Sequence, residues 1–199
     1  MNDAFEESGI VLAIGPLAGI VALSQLALST KRIHVGVGLA LPKVKEVLAP
    51  DIVVVGGRPC AIEAFNISTN EWETLPPMTV ARSNASAAAI DGRVYIVGGW
   101  AEAGQLLFDD EVLDLSLGTW SPTPPMPTRR ALAAGATSRG ALFVAGGIGA
   151  DGMQVQAVEA FAPASGLWQQ LPPLGARRSG CAAAAVGGWL FVVGGMSAS

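Results

Sequence analysis

The chain has 199 residues, of which 51% are hydrophobic and 14% are charged, and its formal net charge is −4 at pH 7. Because disordered chains combine low hydrophobicity with high charge, this composition predicts a folded protein, and the lack of a basic run argues against a nucleic-acid partner. Two cysteines, Cys60 and Cys181, are too few for a disulfide framework or a zinc site, so we expect free thiols and neither a metal nor a cofactor.

The first segment, residues 1–50, is apolar and allows two interpretations. Residues 8–30 contain no charged side chain, and a run of this length can cross a bilayer. Lys31 and Arg32 would then place the following residues in the cytoplasm. The alternative is a buried segment, because Pro16 and three glycines interrupt the run. We expect a cytoplasmic protein, with a membrane anchor through residues 8–30 as the alternative.

From residue 51 onward the chain repeats itself at a constant spacing, which is the interval from Trp72 to Trp120 and again from Trp120 to Trp168. Each of these three tryptophans precedes a Pro-Pro pair. Three glutamates and four diglycine pairs share the pattern, although the first diglycine pair stands closer to the second than the period requires. These structural marks are Trp72, Trp120, Trp168, Glu63, Glu111, Glu159, Gly56-Gly57, Gly98-Gly99, Gly146-Gly147 and Gly194-Gly195. A period of this length indicates a repeat architecture whose single unit cannot bury its own faces.

Each unit is predicted to form four short antiparallel strands. In the third unit a small-residue strand meets residues 141–145 across the two-residue turn Arg139-Gly140. In the second, a third strand spans 111–115 and a fourth begins at Trp120 and ends at prolines, which cannot donate to a ladder. Sheets of this kind, arranged radially with their alanine-rich strands innermost, make an all-β propeller. Two units are complete, with most of a unit before them and two strands after.

The repeat resembles the kelch repeat of the kelch-like family. The matching segments are residues 94–99, 111–120, 124–127 and 178–180, and the likeness extends from about residue 52 to residue 195. This resemblance implies a partial kelch-type β-propeller of about three to four blades over residues 51–199. Because open sheet edges invite pairing, we expect either a fragment or a chain that closes its ring by self-association.

The arginines between blades are the main candidates for a site. They recur as Arg82, Arg130 and Arg178, where a positive ring at the channel mouth would take carboxylates. By resemblance to kelch-like ubiquitin-ligase adaptors, these arginines, with Ser83 and Ser179, would receive an acidic peptide. The alternative is that each arginine braces the blades by pairing with the periodic glutamate that precedes it in the chain.

Further candidates for partner binding lie where the units differ in sequence. They are Arg129 and the loop of residues 100–108, in which Trp100 is expected to be an exposed anchor. A catalytic site is harder to assemble, because His34 is the single histidine of the chain. Residues 147–152 match the dinucleotide fingerprint, but Gly147 is already explained by the repeat.

We therefore predict a non-catalytic protein-interaction module. It would bind an acidic protein segment on the arginine-bearing face, as a substrate-recognition or scaffold element of a ubiquitin-ligase or actin-associated complex. The alternatives are a kelch-propeller enzyme of the sugar-epimerase type and a membrane-tethered kelch fragment.

Overall fold

The computed structural model describes residues 11–14, 51–55, 62–66 and 69–197, and these residues form fourteen β-strands and no helix. The strands are β1 (Val11–Ile14), β2 (Asp51–Val55), β3 (Ile62–Asn66), β4 (Glu71–Leu75), β5 (Ser86–Ile90), β6 (Arg93–Val97), β7 (Glu111–Asp114), β8 (Thr119–Pro122), β9 (Ala134–Ser138), β10 (Ala141–Ala145), β11 (Val158–Ala162), β12 (Leu167–Leu171), β13 (Ala182–Val186) and β14 (Trp189–Val193).

The strands pair in chain order into three four-stranded antiparallel sheets and one pair of strands. Blade 1 is β1–β4, blade 2 is β5–β8, blade 3 is β9–β12, and the fourth sheet is β13–β14. The first strands of successive sheets contact one another, so the sheets meet at those strands. The all-β prediction and the predicted four-stranded unit are confirmed.

The hairpin turns between the first two strands of blades 2 and 3 are as short as predicted. Asp91 and Gly92 both have positive φ, 48° and 73°, and Arg139 and Gly140 repeat this with 50° and 72°. Positive φ at both central residues defines a type I′ turn, whose twist matches that of the strands it joins. In blade 2 the turn therefore fixes the register in which β5 faces β6.

The diglycines mark a close approach between the two ends of a blade's first hairpin. A Cβ on Gly99 would lie 2.7 Å from the carbonyl oxygen of Ser83, and one on Gly147 would lie 2.7 Å from that of Ala131. Their φ angles, 93° and 109°, are also in the range that favours glycine. Both restrictions explain why glycine recurs here at the repeat spacing.

The core lies between neighbouring sheets. Ala87, Val94 and Leu113 of blade 2 pack against Val53 and Ile62 of blade 1, and all of them are buried. Corresponding side chains of blades 2 and 3 form a second cluster around Tyr95 and Phe161, whose ring centroids are 5.8 Å apart. Each large apolar side chain buried in this way contributes about 1.5–3 kcal/mol. Small alanines on the first strands let the sheets approach closely where they meet.

The first sheet contains a strand from the apolar N-terminal segment. Val11–Ile14 pairs antiparallel with β2, so blade 1 has four strands where the repeat sequence alone supplied most of a blade. In the ranges that the structure describes, no helix is long and apolar enough to cross a membrane. The remainder of residues 8–30, together with His34, Gly56-Gly57 and Cys60, lies outside the described residues, and the division at residue 50 stays a prediction.

Candidate partner-binding face

Two of the three periodic arginines are buried in ion pairs. Only 3% of Arg82 and 1% of Arg130 is exposed. The Nη2 atom of Arg82 lies 2.6 Å from Oε1 of Glu111, and that of Arg130 lies 2.6 Å from Oε2 of Glu159. The predicted pairing with the preceding periodic glutamate is wrong, because each arginine pairs with the glutamate 29 residues later. The arginine precedes the first strand of a blade, and its partner lies on the third strand of that same blade.

Each pair also ties down neighbouring loops. Arg130 Nη1 donates to the carbonyl oxygen of Ala157 at 2.8 Å, and the Thr128 hydroxyl donates to Glu159 at 2.6 Å. Burial lowers the pKa of the Arg130 guanidinium, and the charge of Glu159 opposes that effect. A buried pair of this kind braces the blade and offers no free charge. Neither Arg82 nor Arg130 therefore offers a partner a free guanidinium.

Arg178, the third periodic arginine, is in a different state. It is half-buried, and its Nη1 atom donates to the carbonyl oxygen of Gly194 at 2.9 Å. Within the described residues no carboxylate pairs with Arg178, and its Nε atom, like that of Arg82, is buried without a hydrogen-bond partner. The third strand that would carry its glutamate is missing from the fourth sheet, which has two strands in the part of the chain that the structure describes.

The surface around these pairs is made by loops from one end of the sheets. In an antiparallel meander the loop between the second and third strands and the connection to the next blade lie at the same end. We call this surface the loop face, and it consists of residues 98–110, 123–133, 146–157 and 172–181. The loop face includes every residue predicted from the sequence to bind a partner except Arg82 and Ser83. These two residues lie in the equivalent connection from blade 1 to blade 2.

The arginine doublets of the loop face divide into an exposed and a buried member. Arg129 is exposed, while Arg130 beside it is buried. Arg177 is exposed at the same position of the next repeat, and its Nη1 lies 3.5 Å from the carbonyl oxygen of Gln154. Sequence reasoning singled out Arg129 but missed Arg177, although the recurrence of Arg-Arg at the repeat spacing was a signal for it.

An exposed phenylalanine supports Arg129. The guanidinium carbon lies 2.9 Å from the centroid of the Phe108 ring, which is 45% exposed. A guanidinium over an aromatic face is held by the ring's quadrupole while its N–H groups stay available at the edge. Phe108 is the last residue of the variable loop 100–108 that the sequence offered as a candidate, although within that loop only Trp100 was singled out.

The remaining residues that were predicted to bind a partner hold loops in place. Trp100 is half-buried, and its backbone exchanges two hydrogen bonds of 2.9 Å with Ser83. Ser179 is fully buried, exchanges backbone bonds of 3.0 and 2.8 Å with Met196, and accepts a hydrogen bond from the Gln154 amide at 3.3 Å. Burial of Ser179 contradicts its predicted exposure to a partner.

A buried carboxylate that the sequence did not reveal links blade 2 to the connection that follows it. Asp110 is 1% exposed and accepts backbone N–H groups from Gly98 at 2.8 Å and Met126 at 2.7 Å. Burial raises the pKa of Asp110 to about 6, against the lowering effect of both hydrogen bonds. The same repeat position holds Ile62 and Val158, so periodicity gave no warning of a charged group.

The periodic tryptophans join neighbouring blades. Trp120 Nε1 donates to the carbonyl oxygen of Pro76 at 3.0 Å, and Trp168 Nε1 donates to that of Pro124 at 2.8 Å. Each bond therefore runs from the fourth strand of one blade to the Pro-Pro segment after the preceding blade. Trp72 is 57% exposed and packs on Phe65, with ring centroids 5.1 Å apart, and Glu63, opposite Thr74 on the neighbouring strand, is also exposed.

Two further observations define what the site can hold. The described ranges contain no metal-binding cluster, that is, no group of three or more histidine, cysteine, aspartate or glutamate side chains that could hold a metal ion. An open surface depression of about 370 Å³ lies beside Arg178, lined also by Leu174, Gly175, Ala176, Leu190 and Val192. Cys181, close by in sequence, is a buried free cysteine whose pKa is raised by burial.

Comparison with known proteins identifies the repeat. The kelch motif model matches residues 81–127, which cover blade 2 and its flanking connections. An F-box/kelch-repeat protein of Arabidopsis thaliana is 42% identical over 52 residues, which are 25% of this chain and 13% of that protein. Kelch repeat protein M-T9 of Myxoma virus is 38% identical over 52 residues, which are 26% of this chain and 10% of that protein.

Human Kelch domain-containing protein 8B is 34% identical over 61 residues, which are 28% of this chain and 17% of that protein. The matched part of this chain thus spans less than about a fifth of each relative's length. The solved structure of YjhT has the same fold, with a TM-score of 0.61 at 16% identity over 67% of this chain and 52% of that one. The motif match, the relatives and the four-stranded antiparallel sheets together show a kelch motif at residues 81–127, similarity to kelch-repeat proteins, and the fold of a partial β-propeller.

Proposed function

We propose that this protein is a non-catalytic interaction module that binds an acidic protein segment on the loop face. The observation that carries the proposal is the exposed Arg129, stacked on the exposed ring of Phe108. Among the described residues no carboxylate pairs with Arg129, whereas Arg82 and Arg130 are neutralised by glutamates. A partner carboxylate would therefore meet the first arginine of each doublet, not the periodic arginines.

The combination of ring and guanidinium suits a protein ligand. Aromatic and arginine side chains dominate the energetics of protein interfaces, because they bury much area and make directed hydrogen bonds. Arg177 supplies a second exposed guanidinium at the same place in the next repeat. Two such groups at one end of adjacent blades can engage two carboxylates of one extended segment.

Acidic side chains of the same face limit where the segment can bind. Glu102, Asp109 and Asp151 are exposed in the loops between second and third strands, while both arginines lie in the connections between blades. We therefore place the acidic segment over the connections, where like-charge repulsion is least. Phe108 reaches this region from its own loop and would contact an apolar residue of the segment.

The test is selection of random peptides displayed on phage against the full chain, with a charge-reversed variant for counter-selection. We expect acidic peptides to be enriched on the wild-type chain and their affinity to fall at least about tenfold in R129E/R177E, which corresponds to about 1.4 kcal/mol. The matched control is R93E/R139E, which makes the same charge change at hairpin turns on the opposite end of the sheets.

The control separates a local site from a general effect of net charge. If both double variants lose binding equally, or if acidic peptides are not enriched, the loop face is not the acidic-segment site. A substrate-recognition or scaffold role in a ubiquitin-ligase or actin-associated complex would follow from the nature of the partner. The Arabidopsis relative carries an F-box with its kelch repeats by name, and co-precipitation of this chain with ligase subunits or actin tests each assignment.

A further inference from the structure

The loops between second and third strands are fastened to the following connections in two different ways. In blade 3 the fastening is made by the main chain. The Gly146 N–H donates to the carbonyl oxygen of Ala157 at 3.0 Å, and the Leu174 N–H donates to that of Gln156 at 2.8 Å. Because every residue supplies a main-chain carbonyl, these bonds place no demand on the side chains of the loop.

Blade 2 makes both bonds with the side chain of Asp110. Gly98, the equivalent of Gly146, donates its N–H to Oδ1 at 2.8 Å. Met126, the equivalent of Leu174, donates its N–H to Oδ2 at 2.7 Å. One buried carboxylate thus replaces two main-chain acceptors, and a hydrogen bond to an ionised acceptor is stronger than one to a neutral carbonyl.

This exchange changes the main chain around Phe108. The carbonyl oxygen of Phe108 accepts the N–H of Asp110 at 3.1 Å, which closes a turn of three residues. The carbonyl oxygen of Asp109 accepts a hydrogen bond from the Arg82 guanidinium. Residues 108–110 therefore fold back on themselves where the equivalent stretch of blade 3 bonds to its connection.

The stack of Phe108 and Arg129 lies between the two segments that Asp110 joins. Phe108 precedes Asp110 by two residues, and Arg129 follows Met126 by three. The Thr123 N–H also donates to the Asp110 carbonyl oxygen at 3.0 Å, so the connection is held to this residue at two points. The distance of 2.9 Å between the guanidinium carbon and the ring centroid therefore depends on the Asp110 carboxylate.

The fold of the repeat does not itself require this carboxylate. Val158 occupies the position in blade 3 and Ile62 occupies it in blade 1, and they are 4% and 0% exposed. Burial of a carboxylate carries a desolvation cost that these apolar side chains avoid. An aspartate at this position of blade 2 therefore points to a role other than packing.

We propose that Asp110 is a positioning residue of the loop face, whose carboxylate holds Phe108 against Arg129 in the arrangement that receives a partner's acidic segment. Its role in binding rests on the function proposed above, whereas its effect on the stack does not. Blade 3, with Val158 and Gln156 at the positions of Asp110 and Phe108, has no counterpart of this arrangement.

Nuclear magnetic resonance of the full chain at pH 7.5 measures the stack without a ligand. The ring current of Phe108 shifts the δ-proton signals of Arg129, and Phe108→Leu gives their position without the ring. We expect Asp110→Val to fold, because its two N–H groups can take the main-chain acceptors that blade 3 uses, and to move the Arg129 signals most of the way to the Phe108→Leu position. Asp109→Asn, which removes a charge from the adjacent exposed residue, should keep the wild-type signals.

A near-isosteric variant keeps the test decisive if Asp110→Val does not fold. Asp110→Asn retains one acceptor oxygen but presents an amide donor in place of the other, so one of the two N–H groups loses its partner. Removal of the buried charge avoids its desolvation cost, so this variant should fold. Its Arg129 signals should lie between those of the wild type and Phe108→Leu. Wild-type signals in either folded variant of Asp110 overturn the proposal.

Binding of a fluorescein-labelled hexaglutamate peptide, measured by fluorescence anisotropy, tests the link to function. Asp110→Val and Asp109→Asn each remove one negative charge, so an effect of net charge alone would tighten binding of this acidic peptide in both. We expect Asp109→Asn to bind at least as tightly as the wild type and Asp110→Val to bind about threefold more weakly, because the supported guanidinium is lost. Equal tightening in both variants would contradict the positioning role.

The two measurements separate this proposal from the proposed function. If hexaglutamate does not bind the wild-type chain, the acidic-segment function is contradicted, and the Arg129 signals of the Asp110 variants still decide whether the carboxylate positions the stack. If the peptide binds and the signals of both variants stay at the wild-type position, the function stands and the positioning role is overturned.

Discussion

Breaking the Arg130–Glu159 pair from one side should destabilise the protein far more than replacing both partners. Both residues are 1% exposed, and Nη2 lies 2.6 Å from Oε2. In E159Q the shape is kept, but the buried guanidinium loses its counter-charge. Removal of one partner of a buried pair costs about 3–5 kcal/mol, and R130M should cost a similar amount because it leaves the carboxylate unpaired.

The double variant R130M/E159L tests whether that cost comes from the orphaned charge. Apolar side chains of similar volume avoid the desolvation penalty, so replacement of a whole pair is often neutral. The Thr128 hydroxyl and the Ala157 carbonyl oxygen would still lose their partners, which adds about 1–3 kcal/mol. We therefore expect the double variant to lose about 1–3 kcal/mol, several kcal/mol less than the sum of the single losses.

The assay is urea unfolding followed by tryptophan fluorescence, with the free energy of unfolding extrapolated to water. The exposed pair Arg93 and Asp114, at 3.2 Å and with side chains 55% and 19% exposed, provides the control cycle. Its coupling energy should be at most about 1 kcal/mol, as for other surface pairs. A loss below about 1 kcal/mol in E159Q, or additive losses in the buried cycle, would refute the bracing role.

Two further predictions concern the links between blades and the buried aspartate. Trp168→Phe should lower the free energy of unfolding by about 1 kcal/mol, because it removes the 2.8 Å hydrogen bond to the Pro124 carbonyl oxygen. Trp72→Phe, at a position that is 57% exposed, should change this free energy little. Urea unfolding measures both variants. Asp110 has a pKa of about 6 when folded and near 3.8 when unfolded, so between these values the folded state binds more protons and the free energy of unfolding falls as pH rises. The loss should total about 3 kcal/mol above pH 6, and Asp110→Val, the residue that blade 3 has as Val158, should flatten the profile measured from pH 4 to 7.

The sequence predicted the sheets well because their determinants are local. A two-residue turn with glycine, a short apolar strand and a terminating proline act over a few residues, and each recurs with the repeat period. Strands β5–β8 accordingly lie where the pattern of the second unit put them. Val11–Ile14 was not predicted as the first strand of blade 1, because no repeat signal precedes residue 51.

The candidate site was predicted less well, because its determinants are distances between segments. The repeat pattern alone is compatible with an ion pair between Glu111 and either Arg82, which precedes it in the chain, or Arg130, which follows it. The order of strands in the sheet places Glu111 next to Arg82. Asp110 has no acidic counterpart in the other repeats, so nothing in the pattern marked it, and Phe108 was included only as part of the variable loop 100–108.

The repeat sequence by itself determined the all-β fold, the four-stranded unit and the positions of the arginines, since these follow from side-chain period and turn chemistry. Only the tertiary structure decided which arginine of a doublet faces solvent. Arg130 is enclosed by the third strand of its own blade, while Arg129 points to the Phe108 loop. Burial depends on chain segments far apart in sequence, and so does the state of Arg178, whose partner strand is absent from the fourth sheet as the structure describes it.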